Sequence, residues 1–265
     1  MKNFGLFLIG LVFSVISMTS CMEGGNTEDR ITYGVLDYGS KSMYPLLKSG
    51  DGNLFSSSIV AAFNAGEMNL GDCYAVYYRI DYDLPENLPN VVETNGYFTV
   101  TLIEWSKIPR YTAFSSLTDT SVVLLNEIPV LNVFNNGDFL EGFFFMSQTV
   151  NHPEGWELSW DMSYNYSMMP TEENGRRYYD LFVRATVKKQ GDKTTKVDVP
   201  YFNAYYMDYY MKNAASNEKN FLGSSYNSSS SKFTIRLNFV SSIDAVTNKM
   251  TWNNYQVEIP ISPFL

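Results

Sequence analysis

Residues 156–166 read Trp-Glu-Leu-Ser-Trp-Asp-Met-Ser-Tyr-Asn-Tyr. Every second side chain, Trp156, Leu158, Trp160, Met162, Tyr164 and Tyr166, is apolar or aromatic. The residues between them, Glu157, Ser159, Asp161, Ser163 and Asn165, are polar. A helix would scatter these side chains around its circumference, whereas a strand sends successive side chains to opposite faces of a sheet. The segment therefore reads as a half-buried strand. Working outward, the same period governs Tyr74 to Tyr82, Phe98 to Leu102, Tyr179 to Val187, Phe233 to Phe239 and Tyr255 to Ile261. Turn residues separate the runs: Ser49-Gly50-Asp51-Gly52-Asn53, Asn95-Gly96, Glu173-Asn174-Gly175 and Gln190-Gly191-Asp192. Alternation with one polar face predicts antiparallel sheets. Many short strands with Gly/Asn turns predict an all-β fold of sandwich or barrel type.

One stretch departs from the pattern. Residues 200–215, PYFNAYYMDYYMKNAA, hold no turn signal and end in Ala-Ala. Pro suits a first helical turn and Asp198 could cap it, so one substantial helix is expected here. A domain boundary is expected at Lys107-Ile108-Pro109-Arg110. The strands of 31–107 are the size of a small OB-like barrel. Residues 108–265 have the strand number of an antiparallel β-sandwich carrying the helix.

Composition excludes several functions. With 28 Asp+Glu against 19 Lys+Arg, the chain has net charge -9 and a poor match to nucleic-acid phosphate. One His and two Cys leave no multi-histidine, zinc-knuckle or disulfide framework, so no metal and no cofactor is expected. His152, in Val150-Asn151-His152-Pro153, reads as a surface loop residue. There is no G-x-S-x-G, P-loop or G-x-G-x-x-G, and no catalytic residue is assigned. Candidate carboxylates for glycosidase chemistry are Asp81 with Asp83, Glu172 with Glu173, and Asp161 on the Trp-rich strand.

The N-terminus reads as an address. Lys2 precedes an apolar run from Phe4 to Met18, too short to span a bilayer as a helix and shaped like a signal peptide over residues 1–20. It ends in Met18-Thr19-Ser20-Cys21, which resembles a bacterial lipobox. That resemblance implies acylation of Cys21 and anchorage to a membrane. Residues 21–30, Gly-rich and acidic, read as a flexible tether. The mature chain keeps 18 basic and 28 acidic residues, so lipid rather than charge must hold it to the membrane. Cys73 remains as a lone thiol on a strand pattern and is expected to be packed.

The lipobox, the acidic tether, Tyr44-Pro45-Leu46-Leu47 with its Gly50-Asp51-Gly52-Asn53-Leu54 turn, and Gly71-Asp72-Cys73-Tyr74-Ala75-Val76-Tyr77-Tyr78 together resemble the NigD-like lipoproteins of Bacteroidetes. The resemblance implies an N-terminal OB-like domain, a C-terminal β-sandwich and a cell-envelope location. It implies no catalytic residue. Asp72 stands where the family's basic residue is typical.

The aromatic surplus, 20 Tyr, 18 Phe and 4 Trp, is the feature that points to binding. Rings offer apolar faces to sugars and, for Tyr and Trp, a polar handle. Trp156, Trp160, Tyr205, Tyr206, Tyr209 and Tyr210 are the candidate ligand-contact residues. The expected function is a non-catalytic, lipid-anchored outer-membrane protein that binds a glycan or another envelope protein. The alternatives are a fimbrial or adhesin subunit assembled through its final strand, and a polysaccharide hydrolase.

Overall fold

The computed structural model describes residues 25–116, 119–135 and 137–265. The signal peptide, Cys21 and the first part of the tether lie outside the described residues. The chain divides into two compact units, Met1–Arg110 and Tyr111–Leu265.

The first unit is a closed barrel of β1 (Thr27–Tyr38), β2 (Pro45–Ser49), β3 (Gly52–Phe55), β4 (Cys73–Asp81) and β5 (Phe98–Ile108), in the order β1-β2-β3-β5-β4. Gly34 pairs with Ser49 on one side and Tyr74 on the other, the point where β1 passes between its two neighbours. A Cβ there would lie 2.0 Å from the Lys48 carbonyl oxygen, so only glycine permits the approach. Helix α1 (Ser57–Asn64), capped by Ser56, packs Ile59 and Ala62 into a core with Leu36, Leu47, Leu54, Tyr74, Val76 and Tyr78. A short α2 (Pro89–Asn95) precedes β5 and ends at Gly96 in the left-handed conformation.

Residues 27–30, expected as the end of a flexible tether, are strand. Strand β1 begins at Thr27, and Glu28 and Asp29 lie in register with Ile80 and Arg79. The acidic pair is a strand end whose Asp29 carboxylate binds the Arg79 guanidinium at 2.6 and 2.8 Å. Asp72 is almost fully buried and accepts Arg110 at 2.6 Å together with Lys107. Lys107 at the end of β5 and Arg110 beyond it thus neutralise this acid. Cys73 is completely buried, and burial pushes its thiol up to about 12.

The second unit contains two sheets. One has the order β6-β14-β10-β8, from β6 (Arg110–Thr112), β8 (Val130–Phe134), β10 (Phe143–Pro153) and β14 (Lys196–Tyr206), with β9 (Phe139–Leu140) alongside β10. The other has the order β11-β13-β15-β16, from β11 (Glu157–Ser163), β13 (Arg176–Lys189), β15 (Lys232–Ile243) and β16 (Met250–Pro260). Its companions β7 (Glu127–Ile128) and β12 (Thr171–Glu173) pair with β13. Both sheets contribute to one core, with Phe144, Met146 and Val150 meeting Trp160, Met162, Leu181, Val183, Ile235 and Leu237. The all-β reading, barrel first and sheets second, is borne out.

Two details differ from expectation. Strands β13 and β15 run parallel, Tyr179 opposite Ile235, because a helix returns the chain between β14 and β15. That helix, α3 (Asp208–Leu222), starts eight residues later than the sequence suggested. Pro200 to Tyr206 belong to β14, where Val199, Tyr201, Asn203 and Tyr205 pair with Val150, Gln148, Met146 and Phe144. The period of two across Val197 to Tyr205 outweighs the helical signal of Pro200. Helical spacing begins only at Asp208, with Tyr210, Met211, Ala214 and Ala215 on the buried face.

Candidate functional site

The corner between β14 and α3 gathers four of the predicted contact residues and divides them. Tyr205 is fully buried, and Gln148 Nε2–H donates to its hydroxyl at 2.8 Å. Asn203 Nδ2–H in turn donates to Gln148 Oε1 at 3.0 Å, and the Tyr111 ring stacks on Tyr205 at 5.6 Å. Tyr210 is 2% exposed and its hydroxyl donates to the Asp180 carbonyl at 3.2 Å. Burial holds both phenols well above the usual tyrosine range. These two rings belong to the core.

Tyr206 and Tyr209 point the other way, 46% and 65% exposed. Tyr206 ends the strand, and its ring meets Phe143 edge-on at 5.3 Å. Tyr209 lies in the first turn of α3. Met207 between them donates its N–H to the Gly142 carbonyl at 2.9 Å and accepts the helical bond from Met211 at 3.0 Å, which fixes the corner. Gly142 has φ 86°, and a Cβ there would fall 2.6 Å from the Tyr206 ring. The Ala113 N–H donates to the Tyr206 carbonyl at 3.2 Å, bringing Phe114, 56% exposed, to the same end of the sheet. Phe114 is itself held by backbone bonds with Met162 at 2.9 Å and Tyr164 at 3.0 Å. Burial and then the Tyr209 phenol raise the pKa of Tyr164. The result is a ledge of three outward rings on a frame of buried ones. Phe114 was missed in the sequence because no periodic run contains it.

The two tryptophans lie elsewhere. Trp160 is 4% exposed and meets Tyr201 edge-on at 5.4 Å, so it is core. Trp156 is partly buried and stacks on His152 at 6.2 Å. Its indole N–H is buried without an acceptor among the described residues. His152 is buried in β10, not in a surface loop. Its Nδ1 lies 2.7 Å from the Pro153 carbonyl and its Nε2 2.7 Å from the Tyr201 hydroxyl. With Nδ1–H donated to the carbonyl, Nε2 accepts from Tyr201. The core-side position in β10 explains its burial.

Asp81, Asp83 and Glu173, among the carboxylates considered for hydrolysis, are engaged structurally. Asp81 Oδ1 accepts the Asp83 N–H at 2.9 Å, and Asp83 Oδ2 accepts the Asn26 N–H at 3.2 Å. Glu173 pairs with Arg236 at 2.7 Å, while Asp161 lies opposite Arg184 on β11. Among the described residues no group of three or more His, Cys, Asp and Glu side chains could hold a metal ion.

Residues 24–107 match the protein family described as the lipoprotein OB domain. The matched segment coincides with the barrel, in agreement with the OB-like lipoprotein domain that the resemblance implies for residues 31–107. An uncharacterized protein from Parabacteroides merdae matches with TM-score 0.71 and 21% identity, over 88% of this chain and 99% of that one. A Bacteroides fragilis protein described as a lipoprotein matches with TM-score 0.54 and 11% identity, over 87% and 98%. A NigD-like immunity protein from Bacteroides caccae matches with TM-score 0.44 and 11% identity, over 89% and 99%. No curated protein matches the chain. The first two of these solved structures share the fold of this chain. The family match supports an envelope lipoprotein.

Proposed function

We propose that the protein is a non-catalytic outer-membrane lipoprotein, anchored through acylated Cys21, that binds a glycan on the ledge of Tyr206, Tyr209 and Phe114. The observation that carries this reading is the split at the β14–α3 corner. Tyr205 and Tyr210 are spent on the core, whereas Tyr206 and Tyr209 are exposed on either side of the backbone-bonded Met207, and Tyr206 packs over Gly142, where a Cβ would collide with its ring. Preorganised rings lose little entropy on binding, and their faces suit the C–H surfaces of sugars. An acidic body suits a neutral or cationic glycan better than a polyanion.

The test is binding of the mature protein to an array of purified bacterial envelope polysaccharides. The Tyr206→Ala, Tyr209→Ala double variant, checked for an unchanged circular-dichroism melt, is expected to lose at least about tenfold in affinity. Undiminished binding by the folded double variant removes the ledge from the function. Retention of an envelope protein instead of any glycan would favour the protein-partner reading. Assembly through the final strand predicts concentration-dependent oligomers in sedimentation. Tyr255 of β16 donates its hydroxyl to the Asn135 carbonyl at 3.3 Å and packs on Phe134, contacts that strand release must break.

A further inference from the structure

The turn from β4 to α2 reads Leu84-Pro85-Glu86-Asn87-Leu88-Pro89. Each proline restricts the residue before it to extended backbone. Leu84 has ψ 135° and Leu88 has ψ 140° accordingly. Asn87 between them is 3% exposed. Its Nδ2–H donates to the carbonyls of Asp81 and Thr99, both at 2.8 Å, and its Oδ1 accepts the Thr99 N–H at 2.8 Å. One buried amide therefore fixes the turn to the ends of two barrel strands. Leu84 and Leu88 stay on the outside, 38% and 45% exposed. Fixed apolar side chains left in water forgo the stabilisation that burial would bring.

The chain enters the barrel beside this turn. The Asn26 carbonyl accepts the Tyr82 N–H at 2.9 Å, and the Asn26 N–H donates to Asp83 Oδ2 at 3.2 Å. Thr27 then pairs with Asp81. Cys21 is five residues before Asn26. Five residues reach at most roughly 18 Å. An acyl anchor on Cys21 thus keeps Asn26, which is bonded to Tyr82 and Asp83 just before the Leu84–Leu88 turn, within that distance of lipid. Strand β4 runs away from this turn towards its own start at Cys73, and the exposed Leu70 lies just before it, at the other end of the barrel. At about 3.3 Å per residue Cys73 is roughly 26 Å along the strand from Asp81. The charges at the turn, Asp81, Asp83 and Glu86, are acidic and oppose anionic headgroups.

We propose that the Leu84–Leu88 turn is the membrane-seated face of the OB barrel, with both leucines entering the interface of the zwitterionic bilayer that holds acylated Cys21. The proposal rests on acylation of Cys21. It makes the end bearing Leu70 and Gly71 the membrane-distal end of the barrel. Insertion scales with the apolar area presented, and two leucines beside a covalent anchor need supply only orientation.

The experiment uses the full chain purified from membranes and reconstituted into phosphatidylcholine/phosphatidylethanolamine vesicles. Leu88→Cys, Leu84→Cys and Leu70→Cys variants, each with a native-like circular-dichroism spectrum, are labelled with an environment-sensitive fluorophore. Cys73 is buried and does not compete. The mass of the N-terminal peptide reports acylation separately. The L88C or L84C label is expected to shift to the blue and to lose at least about half its emission to lipids spin-labelled near the headgroup. The L70C label is expected to do neither. An acylated protein whose labels at 84 and 88 are unquenched, or no more quenched than at 70, overturns the seat and leaves the anchor standing. A chain with no acyl mass on Cys21 overturns both.

Discussion

Arg184 and Glu127 form an ion pair with both side chains completely excluded from solvent. The guanidinium donates through Nε at 2.6 Å and Nη2 at 2.5 Å to the two carboxylate oxygens. Its remaining donors reach the carbonyls of Asp119 at 2.8 Å and Val122 at 2.6 Å, and Trp252 lies 5.7 Å from its centre. A buried pair of this kind gains little over an apolar pair but is costly to halve, because the surviving charge has no partner. Here it also ties the segment around residues 119–122 to the central strand β13.

Glu127→Ala is therefore expected to cost about 3–5 kcal/mol in denaturant unfolding, since Arg184 is left charged and buried. The Glu127→Met, Arg184→Leu pair should recover much of that loss. A single variant within about 1 kcal/mol of wild type would mean that water reaches the guanidinium.

Gly142→Ala is expected to strain the tyrosine ledge. The residue has φ 86°, and the added methyl would collide with the Tyr206 ring at 2.6 Å. The left-handed backbone alone costs roughly 1–2 kcal/mol for a residue with a Cβ. Both a lower melting temperature and a changed environment at Tyr206 should appear, the latter readable by the NMR shifts of its ring protons. Unchanged ring shifts would show that Tyr206 is not held by this contact.

Much of the architecture was legible because burial imposes a period of two on Trp156–Tyr166, Tyr179–Val187 and Phe233–Phe239. The start of α3 was not legible. Tyr205-Tyr206 and Tyr209-Tyr210 look alike in sequence, yet a strand buries the first of its pair and the helix buries the second. Which ring faces out depends on the phase of each element, and the residue where the phase changes is fixed by the tertiary bond from Met207 to Gly142. His152 misled for a similar reason. Its proline neighbour suggested a loop, but the acceptor that satisfies the ring, Pro153's carbonyl, and its partner Tyr201 come from the folded sheet.

Alkaline pH should unfold the protein over a defined window. Burial pushes the phenols of Tyr78 and Tyr201 up to about 12 in the folded chain. In the unfolded chain they ionise near about 10. Between those values the native state retains protons that the unfolded state has released, so stability falls as pH rises. The contribution is intact below about pH 10 and is lost towards pH 12, at roughly 1.4 kcal/mol per pH unit for each group. Urea midpoints measured from pH 8 to 11.5 should be flat up to about 10 and then decline. Tyr201→Phe should reduce the slope of the decline, and an unchanged slope would remove Tyr201 from the account.

Cys73 offers the most direct check on the barrel. It has no exposed surface, pairs opposite Val35 and Ile108, and its thiol is pushed up to about 12 by burial, an effect that Arg110 and Lys107 offset in part. The thiolate is the reactive form, and at pH 8 a thiol titrating near 12 rather than 9 presents roughly a thousandth of the usual fraction. Access is an additional barrier, because the reagent must wait for the barrel to open. With Cys21 either acylated or removed, an aromatic disulfide reagent at pH 8 should release almost no chromophore from the folded protein. It should release one equivalent per chain in concentrated guanidinium. Gly34→Ala, which crowds the Lys48 carbonyl where β1 joins its neighbours, should accelerate the native reaction by promoting opening. Rapid modification of the wild-type fold would mean that β1, β4 and β5 do not close over Cys73.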